Sequence, residues 1–186
     1  MSTDRAGFPG SCDISDTCDE LGIPAVRTGL LRPVWPGPPV LGPVSTLTLS
    51  AEIGGDPLAD VLSALGAMPP GGVALIDLGG RVDLQCWGGR TTAAARHAGL
   101  VGALVNGAVR DSGELRGLEF PTFARGTFPA RAKGRLGFRG VGHDVRLGGE
   151  VVRNGSAVVA DDDGLVFFPY DTLPDVLSRA RDMASS

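Results

Sequence analysis

Between Trp87 and Glu114 the chain reads W-G-G-R-T-T-A-A-A-R-H-A-G-L-V-G-A-L-V-N-G-A-V-R-D-S-G-E, and here the residue types and their spacing could do chemistry. Gly89 is followed by twenty residues, then by Arg110 and Asp111, and after two more by Glu114. A guanidinium offers a planar fork that grips a carboxylate, and carboxylates are the ligands that hard divalent cations prefer. Glycine-rich turns and helix N-termini add backbone N–H groups that hold anions. The set points to a small-acid site in which an arginine holds a carboxylate and acidic side chains hold a divalent metal. A 2-oxo acid would fit, with its carboxylate on the Gly88-Gly89 amides and the Arg110 fork. Its keto oxygen and one carboxylate oxygen would chelate a cation held by Asp111 and Glu114. An adjacent Arg-Asp pair in a turn also serves as a solvated pair or loop brace, and the residues alone leave both readings open.

Such a site depends on the elements that carry it. The run V-A-L-I-D-L from Val73 is almost wholly apolar, as in a strand buried on both faces. Residues 90–98 read as a helix closed by Gly99, and V-G-A-L-V-N at 101–106 as a second buried strand. The three form a β-α-β unit with Gly88 and Gly89 in its crossover. Arg110 and Asp111 follow the second strand after a turn at G-A-V, near the carboxyl end where ligands collect in such sheets. Elsewhere, residues 13–22 predict a short helix with Ser11 or Asp13 as cap and Gly22 as stop. The proline-dense stretch from Arg32 to Pro43 predicts an extended loop rather than a helix or central strand. A strand is expected at 44–50 and a helix at 57–66. The last third alternates short β-rich runs with glycine turns and ends in an amphipathic helix from Leu173 to Met183. The expected fold class is α/β, one layer-packed domain over residues 1–186.

Composition removes several classes of function. With 17 basic and 21 acidic residues the net charge is -4, and no basic block exists, so nucleic-acid binding lacks its electrostatic footprint. No apolar run reaches the roughly 18 residues of a membrane span, and M-S-T-D-R-A-G lacks the apolar segment of a secretory leader. A cytoplasmic protein is expected. Cys12, Cys18 and Cys86 form neither a zinc pattern nor an even set, and read as reduced thiols. Lys133, the one lysine, sits in the loop-like run R-A-K-G-R, which argues against Schiff-base chemistry. Two histidines, His97 and His143, are too few for a multi-histidine metal site, so a metal would rest on carboxylates. The run Asp161-Asp162-Asp163 before Gly164 invites a metal reading too, but a solvated turn is the favoured one.

In order along the chain, I-S-D-T-C-D-E-L-G, V-L-G-P-V-S-T-L, P-P-G-G-V-A-L-I-D, the stretch from Trp87 to Asp111, F-P-T-F-A-R-G and A-D-D-D-G-L-V-F-F-P resemble the RraA-like family. That family contains regulators of ribonuclease activity A and class II 4-hydroxy-4-methyl-2-oxoglutarate / 4-carboxy-4-hydroxy-2-oxoadipate aldolases. The likeness covers nearly the whole chain. Its G-x20-R-D-x2-E form, Gly89 to Glu114, is that of members with a metal site, whereas dedicated aldolases often carry an aspartate at the position of Gly89.

The resemblance implies a swivelling β/β/α fold and assembly into trimers or paired trimers with sites between subunits. It implies that Gly88, Gly89, Arg90 and Thr91 bind the substrate carboxylate through their amides. Arg110 would contact the pyruvyl carbonyl and carboxylate, Asp111 would bind Mg2+ or Mn2+, and Glu114 would join that shell. The expected activity is retro-aldol cleavage to pyruvate, oxaloacetate decarboxylation, or both, through a stabilised enolate; the base for aldol cleavage would be a metal-bound water or an acid from a neighbouring subunit, with Asp16 and Glu20 as candidates. A specialised enzyme with an altered substrate is one alternative. Another is a non-catalytic regulator of a ribonuclease or helicase, though such a module would have no chemical use for the Arg-Asp-x2-Glu set. Two departures stand out: Asn154-Gly155-Ser156 replaces a P-G-D turn common in relatives, and the segment Leu30 to Pro43 is unusually rich in proline.

Overall fold

The structure is a computed structural model and describes residues 9–184; the N-terminal stretch M-S-T-D-R-A-G, expected to carry no secretory leader, lies outside the described residues. In chain order these residues form α1 (Ser11–Leu21), β1 (Val26–Thr28), β2 (Arg32–Pro33), β3 (Val40–Ser50), α2 (Leu58–Ala67), β4 (Val73–Asp77) and β5 (Gln85–Trp87). There follow α3 (Gly89–His97), β6 (Gly102–Val109), α4 (Ser112–Gly117), β7 (Thr122–Thr127), β8 (Gly137–Val141), β9 (Val145–Leu147), β10 (Glu150–Val152), β11 (Ala157–Ala160), β12 (Leu165–Phe168) and, after a 3-10 turn, α5 (Leu173–Ala184).

Strands β3, β4, β6 and β7 run parallel at the centre, because each successive pair is joined by a helical crossover. The whole path is β1-β12-β11-β3-β4-β6-β7-β2, with β5 added beside β6 and β8 beside β3. Every residue of β6 is buried, which fits a strand covered on both faces and free of charge and proline. On one face α2, α3 and α4 pack over a core that includes Val61, Leu65, Ile76, Trp87, Val105 and Leu115. On the other, Leu75, Leu104 and Phe123 meet Val145 and Leu147 of the β9–β10 hairpin and Val158 and Phe167 of β11 and β12. Helices α1 and α5 cover the far side of β11 and β12 through Ile14, Cys18, Val176 and Ala180. This is a mixed α/β arrangement, with the expected β-α-β unit formed by β4, α3 and β6.

Several sequence expectations shift. The proline-rich stretch was expected to be a loop, but Val40 to Pro43 belong to β3 and pair with β11. Pro43 is tolerated because the parallel ladder with β4 starts only at Val44, so its missing N–H leaves no gap there. The expected G-A-V turn is strand, since β6 continues to Val109. The three-residue β5 was not foreseen; it lies beside Ala108 and Val109, on the flank of β6 that β4 leaves after Asn106. Helix α1 ends on Gly22 in the left-handed region as expected (φ 66°), while Gly10 is its N-cap and Asp13 Oδ2 accepts the Gly10 N–H.

Candidate functional site

Chain geometry delivers the chemistry-bearing residues to one place. Because β5 runs parallel to β6, the residues that leave the two strands emerge together, and the Arg110 N–H donates to Trp87 O at 3.0 Å. Gly88 and Gly89 therefore lie beside Arg110 and Asp111. A Cβ on Gly88 would stand 3.0 Å from Asp111 Oδ2 and 3.3 Å from Arg110 Cγ. A Cβ on Gly89 would stand 2.1 Å from Glu114 Cδ, so the Glu114 carboxylate occupies the space a side chain at 89 would take. The sequence-predicted set Gly88, Gly89, Arg90, Thr91, Arg110, Asp111 and Glu114 borders one hollow of about 440 Å³. It opens on the helical face, where β3, β5 and β6 end, and its apolar wall includes Leu49, Val61, Trp87 and Leu136.

Helix α3 begins at this hollow. Thr91 Oγ1 accepts the Gly88 N–H at 3.0 Å and donates to Gly88 O at 2.9 Å. The Gly88 amide is thus already engaged. The N–H groups of Gly89, Arg90 and Thr91 open the helix and have no carbonyl a turn earlier within it, so these three are the amides of the turn that an anion could engage.

Asp111 adopts the left-handed backbone region (φ 57°, ψ 37°), and its carbonyl accepts the N–H groups of Glu114 and Leu115. A non-glycine residue there stores strain of order 1 kcal/mol, although a short polar side chain tolerates it better than most. The turn aims Asp111 Oδ2 at Arg110 Nε, 3.2 Å away, with both side chains part-exposed. Among the described residues no further partner engages the Arg110 guanidinium, and none engages Glu114. The Glu114 carboxylate, the Arg110-paired Asp111 carboxylate and a half-used guanidinium fork therefore face the same hollow.

Other lining residues were not expected at the site from the sequence. Asp56, Arg131 and Lys133 border the hollow as well. Lys133 is exposed, as its glycine-spaced loop suggested, yet it stands at the rim of the site. Arg90, Arg110, Arg131 and Lys133 against Asp56, Asp111 and Glu114 give a mildly cationic lining suited to anions. The signal for these residues was weak, since segments 51–57 and 131–136 carry no recognisable pattern. Asp16 and Glu20 are elsewhere: they lie on α1, and Glu20 pairs with Arg179 of α5.

Cys86 also borders the hollow, but burial, reinforced by Asp77, pushes its thiol up to about 12. It is a small buried hydrophobe, as is Cys18; Cys12 is exposed. Asp161 is a brace rather than a ligand, for it accepts the Ser11 N–H and Oγ–H, both at 2.7 Å, and the Asp163 N–H. Among the described residues no three His, Cys, Asp or Glu side chains gather in a metal-ligating cluster. Mg2+ needs fewer: it is commonly held by one or two carboxylates, with water and substrate oxygens completing six positions. The pair Asp111 and Glu114 fits that requirement.

A mixed sheet with a parallel centre, flanked by helices, with a glycine turn and two carboxylates near the strand ends, defines an α/β protein with a candidate anion site. The Aldolase/RraA family matches residues 11–167, and the chain belongs to this RraA-like family. It is 33% identical over 174 residues to a Halalkalibacterium halodurans protein provisionally named 4-hydroxy-4-methyl-2-oxoglutarate aldolase, covering 94% of this chain and 79% of that one. It is 30% identical over 172 residues to Protein DlpA of Legionella pneumophila, 91% of this chain but only 28% of that protein's length. The crystal structure of Streptomyces coelicolor RraAS2, described as an unusual member of the RNase ES inhibitor RraA family, superposes with a TM-score of 0.80 at 26% identity. That superposition covers 95% of this chain and 88% of RraAS2. No helix among the described residues is long and apolar enough to cross a membrane.

Proposed function

We propose that this protein is a divalent-metal-dependent lyase that cleaves a 2-oxo acid to pyruvate, by retro-aldol cleavage of 4-hydroxy-4-methyl-2-oxoglutarate-type substrates, decarboxylation of oxaloacetate, or both. What carries the reading is the convergence of the Gly89 turn, Arg110, Asp111 and Glu114 on one hollow, joined by similarity to a relative provisionally named as such an aldolase. The amides of Gly89, Arg90 and Thr91 and the free nitrogens of Arg110 receive the substrate carboxylate. Arg110 also faces the keto oxygen, where negative charge grows as the C3–C4 bond breaks, and a preorganised donor there lowers the barrier. Asp111 and Glu114 would hold Mg2+ or Mn2+, which when bound supplies a Lewis acid for the 2-oxo group. Arg131 and Lys133 at the rim suit a second carboxylate of the substrate. The working unit is proposed to be a trimer or paired trimers.

The test is pyruvate release from 4-hydroxy-4-methyl-2-oxoglutarate and from oxaloacetate, with Mg2+ or Mn2+ and then with EDTA. Chelation should abolish release, Asp111→Asn should lose it, and Arg110→Ala should lose most of it. Activity indifferent to EDTA, or unchanged in Asp111→Asn, would sink the mechanism. A protein inert on both substrates yet able to bind a ribonuclease would support the regulator reading that the likeness to RraAS2 raises.

A further inference from the structure

Retro-aldol cleavage needs a group to remove the proton from the C4 hydroxyl, and the hollow offers few. Of its three carboxylates, Asp111 and Glu114 lie together against Gly88 and Gly89. Asp111 is also paired with Arg110. Cys86 is held as a thiol, Lys133 as an ammonium has only donors, and neither histidine borders the hollow. Asp16 and Glu20 are on α1, away from the hollow of their own chain. Among the side chains of this chain that border the hollow, that leaves Asp56, which enters at a different part of the rim, where segment 51–57 meets segment 131–136.

Three constraints hold Asp56 in place. Pro57 confines the preceding residue to extended backbone. The Gly134 N–H donates to Gly55 O at 2.5 Å, tying the two rim segments together. Asp56 Oδ1 accepts the Leu58 N–H at the start of α2, at a long 3.4 Å. Among the described residues no cation pairs with this carboxylate and no donor engages Oδ2. It is a positioned acceptor with an unused oxygen at the edge of the site.

We propose that Asp56 is the proton acceptor and donor of the aldol step, an inference that rests on the lyase reading above. Asp56 takes the proton of the C4 hydroxyl, and the oxygen lone pair forms the new C4 carbonyl as the C3–C4 bond breaks. The electron pair of that bond becomes the C2–C3 double bond of an enolate whose oxygen faces Arg110. Asp56 returns the proton to C3, giving pyruvate and a second carbonyl acid and restoring the carboxylate, so that no oxidant or other reactant is consumed. Decarboxylation of oxaloacetate departs from this scheme at its first step, because carbon dioxide leaves without a hydroxyl proton to remove.

The discriminating experiment compares both reactions in the full chain carrying Asp56→Asn. Asparagine keeps the oxygen that accepts the Leu58 N–H, so the thermal midpoint should stay close to that of the unaltered protein. We expect kcat for aldol cleavage to fall about 10²- to 10⁴-fold with little change in KM, and decarboxylation to fall far less. Normal aldol cleavage in Asp56→Asn, or a loss shared equally by both reactions, would overturn the role of Asp56 and leave the lyase reading standing. An unaltered protein inert on both substrates would overturn the two together.

Discussion

Gly89 and Glu114 share one volume, so a side chain at 89 must displace the carboxylate. In Gly89→Ala the new Cβ would begin 2.1 Å from Glu114 Cδ and Oε2, and 2.3 Å from Oε1. Ordinary contact needs more than 3 Å, so the carboxylate must retreat by about 1 Å or more; it can, being the end of a flexible, exposed side chain. Stability should hardly notice. Alanine in the first turn of α3 gains up to about 1 kcal/mol over glycine, and removing a carboxylate from a helix N-terminus costs about 0.3 to 1 kcal/mol. Metal binding should respond strongly, with Mn2+ affinity falling about 10- to 100-fold, the range seen when groups around a metal are displaced. The assay is titration of Mn2+ by paramagnetic resonance, alongside thermal unfolding, on Gly89→Ala, Glu114→Ala and the double variant. If both single changes act by removing the same carboxylate, the double variant should bind Mn2+ no worse than Glu114→Ala alone. Gly89→Asp in the Glu114→Ala background should restore affinity by supplying a carboxylate from the other side of the same space. Additive losses in the double variant, or unaltered Mn2+ binding by Gly89→Ala, would refute the shared-volume argument.

Other expectations follow from single residues. Asp111→Asn should unfold at nearly the same temperature as the unaltered protein, whereas Asp111→Ala should lose about 1 kcal/mol in thermal denaturation, because asparagine tolerates the left-handed backbone and alanine does not. For Asp161, burial raises the carboxyl, but donors from Ser11, Asp163 and Gly164 outweigh it and hold it below the usual range. Its contribution is thus present above about pH 4 and lost as pH falls further. Asp161→Ala should cost about 0.5 to 2 kcal/mol in denaturant unfolding at pH 7, and less in acid. Cys86 titrates near 12 in the folded chain, above its unfolded value of 9.0, so its share of stability is complete below pH 9 and disappears as pH rises toward 12. Thiol labelling of the native protein at pH 8 should modify Cys12 and spare Cys18 and Cys86 until unfolding.

The sequence was most legible where one physical pattern dominated. Apolar runs with terminal glycines marked β4, α3 and most of β6, and the family motifs drew Gly89, Arg110, Asp111 and Glu114 together before any coordinates. What escaped was decided by tertiary partners. Three residues, Gln85 to Trp87, become β5 only because β6 extends beyond β4 and leaves a flank to fill. Pro43 reads as a breaker until the late start of the β4 ladder removes the need for its N–H. Asp56, Arg131 and Lys133 lie in segments without periodicity, and only the packing of Gly55 against Gly134 brings them to the hollow. The engagement of the Gly88 amide by Thr91 was likewise invisible, since a threonine two residues beyond a glycine pair predicts no particular rotamer.

The long sheet finishes at β1 and β2, strands of three and two residues, and Pro33 lies in the second. An exposed strand invites another backbone to dock along it in proportion to its length and its free amides, and these two offer little of either. The fold thereby leaves little for fibre-like growth at these two margins. A second subunit that met the sheet there would be held by side chains, where selection can tune the fit, more than by the generic hydrogen bonding that every polypeptide shares.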